Sequence, residues 1–361
     1  MNKKTTFMVT MMTLIASCFC LKATTYPFDD VDSRNVKNSI FRERAVLFSG
    51  NANPELALSV ADYLETPLGL SKVKKFNDGE ISISIMENVR NKDVFILQSC
   101  CLTENASVND NLMELYLMVR TLKRSSASSI TAVIPYYGYA RQDRKTEPRV
   151  PISAADIAMM LEIGGLDRVV TVDLHAGQIQ GFFHHAPVDN LYASSVFVPY
   201  FAEKDLANIV VVSPDVGGVD RTKKFLEKLS AHGIDGNLAL ISKQRAGAGV
   251  IASMNLIGDV VGADAIIVDD MCDTGGTLCK AAQLLKEEGA RRVFAVITHP
   301  VFSGSVLDKI RESVIEEMVI ADTIPLRGEA PSNLKVISVG PLLGEAIRRI
   351  ELGESVSDLF E

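Results

Sequence analysis

Two adjacent carboxylates, Asp269 and Asp270, follow an apolar run at residues 265–268 and precede a short loop of small and polar residues. The apolar run predicts a buried strand, and the pattern at residues 278–288 predicts a helix. The loop contains Asp273, Thr274, Gly275, Gly276 and Thr277. A small-residue loop between a strand and a helix N-terminus is typical of phosphate sites, because backbone amides and the helix dipole face the anion.

The residue types in this segment favour a phosphorylated sugar over a bare phosphate. The glycines let the backbone approach the ligand closely, and the threonine hydroxyls add donors. Two carboxylates would repel a phosphate, whereas they would accept hydrogen bonds from sugar hydroxyls. The segment therefore predicts a ribose-phosphate site, and the alternative is an acidic turn that only caps a helix.

A basic cluster follows another predicted strand in the first half of the chain. The cluster and its polar neighbours are Arg141, Gln142, Asp143, Arg144, Lys145 and Arg149. Because arginine binds phosphate in a bidentate manner, the cluster predicts a triphosphate clamp. The alternative is a solvated basic loop. The formal net charge of the chain is −8, so an extended nucleic-acid-binding face is not expected.

A sparse metal site is expected from two further residues that follow predicted strands. His175 follows the strand at 169–174, and Asp215 follows the strand at 209–213. One imidazole and one carboxylate suit Mg²⁺, because this ion keeps most of its waters and takes other ligands from substrate phosphates. The alternative for His175 is a structural role.

A cationic loop is expected after the strand at residues 238–242. Lys243 and Arg245 leave this strand and precede the small residues at 246–249. Such a mobile loop would close over a reacting phosphate and neutralise its developing charge. The alternative is an exposed turn.

Short apolar runs alternate with helical patterns from residue 45 onward. This alternation predicts an α/β fold with mostly parallel sheets covered on both faces. Two halves of similar length, divided near Asn190, suggest a duplicated α/β domain. Ligands of such sheets bind beyond the carboxyl ends of the strands, so we expect the polar residues that follow the strands to meet in one site.

Together these segments resemble the class I ribose-phosphate pyrophosphokinases of bacterial type, also called phosphoribosyl pyrophosphate synthetases. The resemblance runs from about residue 45 to the C-terminus and includes residues 76–80, 109–115, 139–143, 173–183, 213–218, 269–277, 299–304 and 345–349. It implies two tandem phosphoribosyltransferase-like domains. The N-terminal domain at 45–190 lies on the ATP side, and the C-terminal domain at 191–338 carries the ribose 5-phosphate loop. A C-terminal helix at 339–361 packs on the N-terminal domain.

The resemblance also implies an activity. The C1 hydroxyl of ribose 5-phosphate attacks the β-phosphorus of Mg²⁺-bound ATP, so that 5-phosphoribosyl 1-diphosphate forms and AMP leaves. The product would supply nucleotide, histidine and tryptophan biosynthesis. A catalytically silent regulatory subunit and a phosphoribosyltransferase remain alternatives. The intact loop lysine and acids argue against the first, and the length and the arginine-rich half argue against the second.

The resemblance assigns roles to particular residues. ATP would contact Phe76, Asp78, Gly79, Glu80, Arg141, Gln142 and Asp143. Ribose 5-phosphate would contact Arg245, Asp269, Asp270, Asp273, Thr274, Gly275, Gly276 and Thr277. Lys243 and Arg245 would be catalytic, His175 and Asp215 would bind Mg²⁺, and Arg90 and Gln180 would belong to a regulatory site. The expected assembly is a homohexamer in which adenine binds at a subunit interface.

Residues 1–44 are expected to lie outside the fold. Lys3 and Lys4 precede an apolar stretch at 7–21, which is the layout of a secretory signal. The stretch is too short to span a membrane. We favour the alternative that an upstream start codon extends the coding region, because an ATP-dependent kinase works in the cytoplasm. The six cysteines form neither a disulfide framework nor a metal-binding pair, which also favours a reducing compartment.

Overall fold

The first half of the chain builds a parallel sheet covered by helices. The computed structural model describes Phe41, residues 43–247 and residues 250–360, without the side chains at 243–247 and 250–253. The strands of this half are β1 (Ala45–Ser49), β2 (Ser71–Lys75), β3 (Ile81–Ile85), β4 (Asp93–Leu97), β5 (Ser129–Ile134), β6 (Arg168–Val172) and β7 (Val188–Leu191). The sheet has the order β1-β4-β5-β6-β7 and is parallel throughout, whereas β2 and β3 form a separate antiparallel hairpin.

The helices of this half begin at recognisable capping residues. They are α1 (Pro54–Tyr63), α2 (Val108–Arg124) and α3 (Ser153–Gly164). The next helix, α4 (Ser194–Ala202), packs on the second half, where the ring of Phe201 contacts those of Phe225 and Phe294. Asn53 caps α1, where Pro54 loses no hydrogen bond because the first amides of a helix have no intrahelical partner. Ser107 and Asp110 form a reciprocal capping box at the start of α2.

The second half builds a larger sheet on the same plan. Its strands are β8 (Ile209–Ser213), β9 (Gly236–Gly247), β10 (Val250–Ile257), β11 (Asp264–Cys272), β12 (Arg292–Pro300), β13 (Glu317–Ala321) and β14 (Leu334–Ile337), and its helices are α5 (Val219–Ala231), α6 (Gly276–Glu287) and α7 (Val306–Glu312). The C-terminal helix α8 (Gly340–Leu352) packs instead on α1 of the first half, where the Tyr63 hydroxyl donates to Glu345 Oε2 at 2.8 Å. The strand order is β10-β9-β8-β11-β12-β13-β14, and the β9–β10 pair is antiparallel. The central strands are buried on both faces, which explains their continuous apolar sequences. The predicted α/β fold with two tandem halves is confirmed.

The strand that carries the paired acids is longer than expected. β11 continues through Asp269 and Asp270 to Cys272, because it stays paired with β12 as far as Cys272 and Pro300. On its other edge the pairing with β8 stops at Ile267. The acids therefore lie on a strand extension with one free edge, and the loop begins only after it.

The loop expected after residue 242 is a strand in the structure. The backbone of Lys243 and Arg245 belongs to β9 and pairs with β10. The expected mobile stretch also includes residues 248 and 249, which lie outside the described residues, as do the side chains of Lys243 and Arg245.

Hydrogen bonds join the two halves directly. Ser99 Oγ, which follows β4, donates to the carbonyl of Thr323 at 2.6 Å, and Asn53 Nδ2 donates to the carbonyl of Asp322 at 2.7 Å. Thr298 Oγ1 donates to the buried carboxylate of Asp173 at 2.6 Å. The carboxyl ends of the two sheets are thereby held against each other.

The N-terminal boundary of the fold lies before Ala45. Phe41 is fully buried and its ring centroid lies 5.8 Å from that of Phe95, and Arg44 Nε lies 3.2 Å from Glu351 Oε1. The expectation that residues 1–44 lie outside the fold is therefore wrong for this last part. The signal-like segment itself lies outside the described residues. Within the described part, no helix has both the length and the apolar character needed to cross a bilayer.

Candidate active site

The expected phosphate loop, residues 273–277, leads into a helix N-terminus that no side chain caps. Gly275 is the residue before α6 and has φ 71°, and no side chain caps the helix. A Cβ at this position would lie 2.9 Å from Val306 Cγ2, so both the backbone conformation and the packing require glycine. The first amides of α6 therefore need an external acceptor, and an anion meets that need best.

The paired acids occupy a buried electrostatic cluster. Arg221 Nη1 lies 3.3 Å from Asp270 Oδ1 and 3.6 Å from Asp269 Oδ1, and His175 Nδ1 lies 2.7 Å from Asp270 Oδ2. Burial and the neighbouring carboxylate raise the pKa of Asp269 well above its ordinary value. Burial also acts against ionisation of Asp270, but Arg221 and His175 outweigh it and lower the pKa of that carboxyl. The hydrogen bond to Asp270 raises the pKa of His175 despite partial burial.

The arginine cluster of the first half reaches the phosphate loop of the second. Arg141 Nη1 lies 2.8 Å from Asp273 Oδ2. Ser303 also holds Asp273, through its hydroxyl to Oδ1 and through its amide to the Asp273 carbonyl at 3.0 Å. Nearby, Gln178 Nε2 donates to Asp143 Oδ2 at 2.6 Å. The structure thus brings the expected triphosphate clamp and the expected sugar-phosphate loop together.

Gln142 begins the turn that leads into α3. Its amide donates to the carbonyl of Tyr139 at 3.0 Å, and its side chain accepts from the Ser153 hydroxyl. The recorded hydrogen bonds of Gln142 thus tie it to its own turn and to the start of α3.

The donor set near His175 and Asp215 fits a hydrated magnesium ion rather than a closed metal cage. Asp215 Oδ1 accepts from the amide of Gly218 at 3.1 Å, which orients the carboxylate at the end of β8. His175 uses Nδ1 for Asp270, so Nε2 is the nitrogen available to a metal. Among the described residues no group of three or more histidine, cysteine or acidic side chains could hold a metal. Mg²⁺ accepts such a sparse set, because waters and substrate oxygens complete its coordination.

The remaining expected residues lie apart from this cluster. Phe76, Asp78, Gly79 and Glu80 form the exposed turn between β2 and β3, where the amide of Glu80 donates to Asp78 Oδ1 at 3.1 Å. No hydrogen bond or ion pair among the described residues joins this turn to Arg141. Among the described residues, the expected adenine contacts and the expected triphosphate clamp are therefore separate groups of side chains.

Of the two expected regulatory residues, only Gln180 lines the cavity described next. Gln180 lines a cavity of about 610 Å³ that is also bounded by Tyr192, Lys224 and Phe360. Arg90 is exposed, its amide donates to Asn88 Oδ1 at 3.1 Å, and it is not among the residues that line this cavity.

Sequence reasoning assigned no individual role to three residues of the site, although two of them lie in segments that carry the family resemblance. Arg221 lies in the first turn of α5. Ser303 and Asp173 belong to the resembling segments 299–304 and 173–183; Ser303 follows β12, and Asp173 follows β6 with φ 42°. The Asp173 carboxylate accepts hydrogen bonds from the Thr298 hydroxyl and from the amide of Ala193, so it links β12 to the segment that follows β7. The position of each residue just after a strand or at a helix start was the available signal, but a lone arginine or serine there is too common to predict a role.

Comparisons with known proteins agree with this architecture. Two family models match: the N-terminal domain of ribose phosphate pyrophosphokinase at residues 45–165 and the phosphoribosyl synthetase-associated domain at residues 239–361. The ribose-phosphate pyrophosphokinase of Wolinella succinogenes is 54% identical over 314 residues, which cover 87% of this chain and 98% of that protein. The Campylobacter jejuni enzyme of the same name is 52% identical over 314 residues, with the same coverage.

A solved structure shows the same fold over nearly its whole length. Phosphoribosylpyrophosphate synthetase from Mycobacterium smegmatis is 40% identical, with a TM-score of 0.79, and the match covers 86% of this chain and 99% of that one. The fold therefore places this protein among the α/β proteins with two tandem phosphoribosyltransferase-like domains. The chain belongs to the ribose-phosphate pyrophosphokinase family, as the sequence motifs predicted.

Proposed function

We propose that the protein transfers pyrophosphate from ATP to the C1 hydroxyl of ribose 5-phosphate, with AMP as the leaving group. The observation that carries the proposal is the ion pair between Arg141 and Asp273 at 2.8 Å. It brings Arg141, the expected triphosphate ligand of one half, to the edge of the expected sugar-phosphate loop of the other. A transfer between two bound phosphorylated substrates needs that juxtaposition, because most of the catalysis of phosphoryl transfer is positioning and charge stabilisation.

The sugar would bind along the extension of β11 and the loop that follows. The amides at the start of α6 and the hydroxyls of Thr274 and Thr277 would hold the 5-phosphate. The carboxylates of Asp269 and Asp270 would accept hydrogen bonds from ribose hydroxyls. With the phosphate and the ribose hydroxyls held in this way, the C1 hydroxyl would face the first half of the chain.

The nucleotide would bind on the first half. Arg141 and Gln142 would contact the phosphates, with Asp143 beside them. Lys243 and Arg245 would neutralise charge that develops on the transferred group. When bound, Mg²⁺ supplies charge neutralisation of the ATP phosphates, and His175 and Asp215 are the residues that would hold it, directly or through water.

The exposed hairpin turn supports an oligomeric enzyme. Phe76 exposes 59% of its surface, and Asp78 and Glu80 point away from the packed core of their own chain. We propose that this turn contacts adenine in a neighbouring copy of a homohexamer. The regulatory role of Arg90 and Gln180 would likewise need residues of more than one copy. Domain limits at about residues 190 and 338, and action in the cytoplasm, complete the proposal.

Position-specific labelling of ATP tests the reaction. Purified protein is incubated with ribose 5-phosphate, Mg²⁺ and ATP labelled with ³²P at the α-, β- or γ-phosphate. Pyrophosphate transfer puts both the β and the γ label on the sugar and leaves the α label in AMP. Transfer of the γ label alone with release of ADP would show a different kinase, and no labelled sugar at micromolar folded protein would refute the proposal.

A further inference from the structure

Arg327 binds a loop beside the candidate active site. It lies in the segment after β13, and its Nη2 donates to the carbonyls of Val301 at 3.0 Å and Phe302 at 2.6 Å. Hydrogen bonds from a charged guanidinium are stronger than those between neutral groups. One half-buried side chain therefore holds two consecutive carbonyls of the loop that follows β12.

The loop needs this support because its backbone is strained. Phe302 has φ 43°, in the left-handed region that a residue with a bulky side chain seldom adopts. Its amide donates to the carbonyl of Cys272 at 3.1 Å, while its carbonyl is one of the two bound by Arg327. Hydrogen bonds therefore fix both the amide and the carbonyl of this strained residue. Removing one set of bonds would free it to relax toward an ordinary conformation.

The next residue of the loop holds the phosphate loop. Ser303 donates its amide to the Asp273 carbonyl at 3.0 Å and its hydroxyl to Asp273 Oδ1. Asp273 in turn accepts from Arg141 through its other oxygen at 2.8 Å. A continuous series of bonds therefore runs from Arg327 through Ser303 and Asp273 to Arg141.

Electrostatics add to this series. Burial opposes ionisation of Asp273, but the hydrogen bonds from Ser303 and Arg141 and the nearby charge of Arg327 lower its pKa overall. Arg327 thus supports Asp273 both through the loop and through space.

The segment that carries Arg327 also contacts the first half of the chain. At its start, the carbonyls of Asp322 and Thr323 accept from Asn53 and Ser99, and at its end Arg327 binds the loop after β12. A short stretch of chain is therefore anchored to one half and supports the phosphate loop of the other. That is the geometry needed to hold two half-sites in register.

We propose that Arg327 is a positioning residue that keeps Asp273 aligned with Arg141, so that the sugar-phosphate loop and the triphosphate clamp act as one site. This inference rests on the proposed pyrophosphate transfer. It goes beyond it by adding a residue that touches neither substrate.

The proposal predicts a particular kinetic change. Arg327→Met removes two charge-assisted bonds, so KM for ribose 5-phosphate should rise about tenfold and kcat should fall about tenfold, since each bond contributes on the order of 1.4 kcal/mol, or one factor of ten. Arg327→Lys should recover part of the loss, because an ammonium can still reach a carbonyl. A merely structural role would lower the melting temperature without this change in KM.

Arg311→Met is the matched control. Arg311 lines the same small cavity of about 220 Å³ as Arg327 but pairs with Asp308 of its own helix, α7. It removes a similar charge and a similar volume without touching the loop carbonyls. Kinetic constants of Arg311→Met should stay within about twofold of the parent chain, as expected of a surface pair. Equal effects of the Arg327 and Arg311 substitutions would overturn the inference.

A double-mutant cycle tests the route of the effect. If Arg327 acts through Ser303, then the combination of Arg327→Met with Ser303→Ala should have little more effect than the larger single change. Fully additive losses would overturn the proposed route.

Amide hydrogen exchange separates failure of this inference from failure of the proposed function. The backbone amide hydrogens of residues 301–304 and 272–276 should exchange faster in Arg327→Met than in Arg311→Met, whatever reaction the protein catalyses. If the parent chain makes no AMP, the proposed function fails, and exchange alone decides the positioning role. Unchanged exchange in the loop would overturn that role, and if Arg327→Met does not fold, the Arg327→Lys variant carries the same comparison.

Discussion

His175 Nδ1 lies 2.7 Å from Asp270 Oδ2, although the two residues are 95 positions apart in the chain. This contact ties the carboxyl end of one sheet to the strand extension of the other. It also fixes the orientation of the imidazole, so that Nε2 points away from Asp270. A histidine that looked isolated in the sequence is thus part of the cluster that also contains Asp269 and Arg221.

Loss of this histidine should lower the affinity for Mg²⁺ more than it lowers the stability of the fold. His175→Ala removes both an orienting hydrogen bond and a candidate ligand, so the Mg²⁺ concentration for half-maximal activity should rise about 10- to 100-fold. A Mg²⁺ titration of initial rate measures the effect. The exposed His184 supplies the control, His184→Ala, which should leave the titration unchanged. Superimposable curves for both variants would contradict the assignment.

Arg221 should stabilise the fold in a pH-dependent manner. Arg221→Met leaves the buried Asp270 and the half-buried Asp269 without this arginine, and breaking a buried ion pair typically costs about 3–5 kcal/mol. The free-energy loss should be largest near pH 8, where both carboxylates would have to ionise, and smaller near pH 5, where one of them can stay protonated. Urea unfolding at both pH values measures it. Lys223→Met, on the same helix with one exposed ion pair to Glu227, should change little, and an equal loss at the two pH values would refute the interpretation.

Gly275 should be required by both its backbone and its packing. Gly275→Ala places a Cβ in the left-handed region and 2.9 Å from Val306 Cγ2. Gly262→Ala has nearly the same φ, +70°, but no heavy atom within 4 Å. Both should lose about 1–2 kcal/mol of stability from backbone strain. Only Gly275→Ala should also raise KM for ribose 5-phosphate, by about tenfold or more. Equal KM values would show that the loop does not bind the sugar phosphate.

Lys243 should matter for turnover rather than for nucleotide binding. Lys243→Ala removes a cation that is proposed to act on the transferred group, so kcat should fall about 10³-fold or more with little change in ATP affinity. Steady-state kinetics and equilibrium binding of ATP measure the two quantities. Gln244→Ala, at the next position of β9, serves as the neutral control. A kcat close to that of the parent chain would remove Lys243 from the mechanism.

Glu351 should destabilise the protein at alkaline pH. Burial and the nearby Asp93 raise its pKa to about 7, and Arg44 offsets only part of the effect. Because the pKa of Glu351 is higher in the folded state than in the unfolded state, the protonated carboxyl favours folding at low pH. This contribution to stability is lost as the pH rises through about 7. Glu351→Gln should therefore raise the free energy of unfolding by on the order of 2 kcal/mol at pH 8.5 and by almost nothing at pH 4.5. Urea unfolding at both pH values tests this, with the exposed Glu329→Gln as control. A gain that does not depend on pH would contradict the account.

The α/β class and the duplication could be predicted from the sequence, because their signals are local, and so could the strand–loop–helix arrangement around residues 273–277. Apolar runs that alternate with helical patterns predict parallel sheets, and the loop at residues 273–277 contains the residues that a phosphate site needs within a few positions. Strand lengths at the site were less predictable. The continuation of β11 past Asp269 depends on pairing with β12, and that of β9 past Ser242 on pairing with β10.

The long-range pairs required the tertiary structure. Nothing near Arg141 in the chain indicates that its partner is Asp273, and nothing near Arg221 indicates that it lies between Asp269 and Asp270. The sequence by itself determined which chemical groups stand at strand ends and hence what kind of ligand they suit. Only the tertiary structure decided which of these groups meet and how their pKa values shift, because burial and charge–charge distances arise when the carboxyl ends of the two sheets are held against each other.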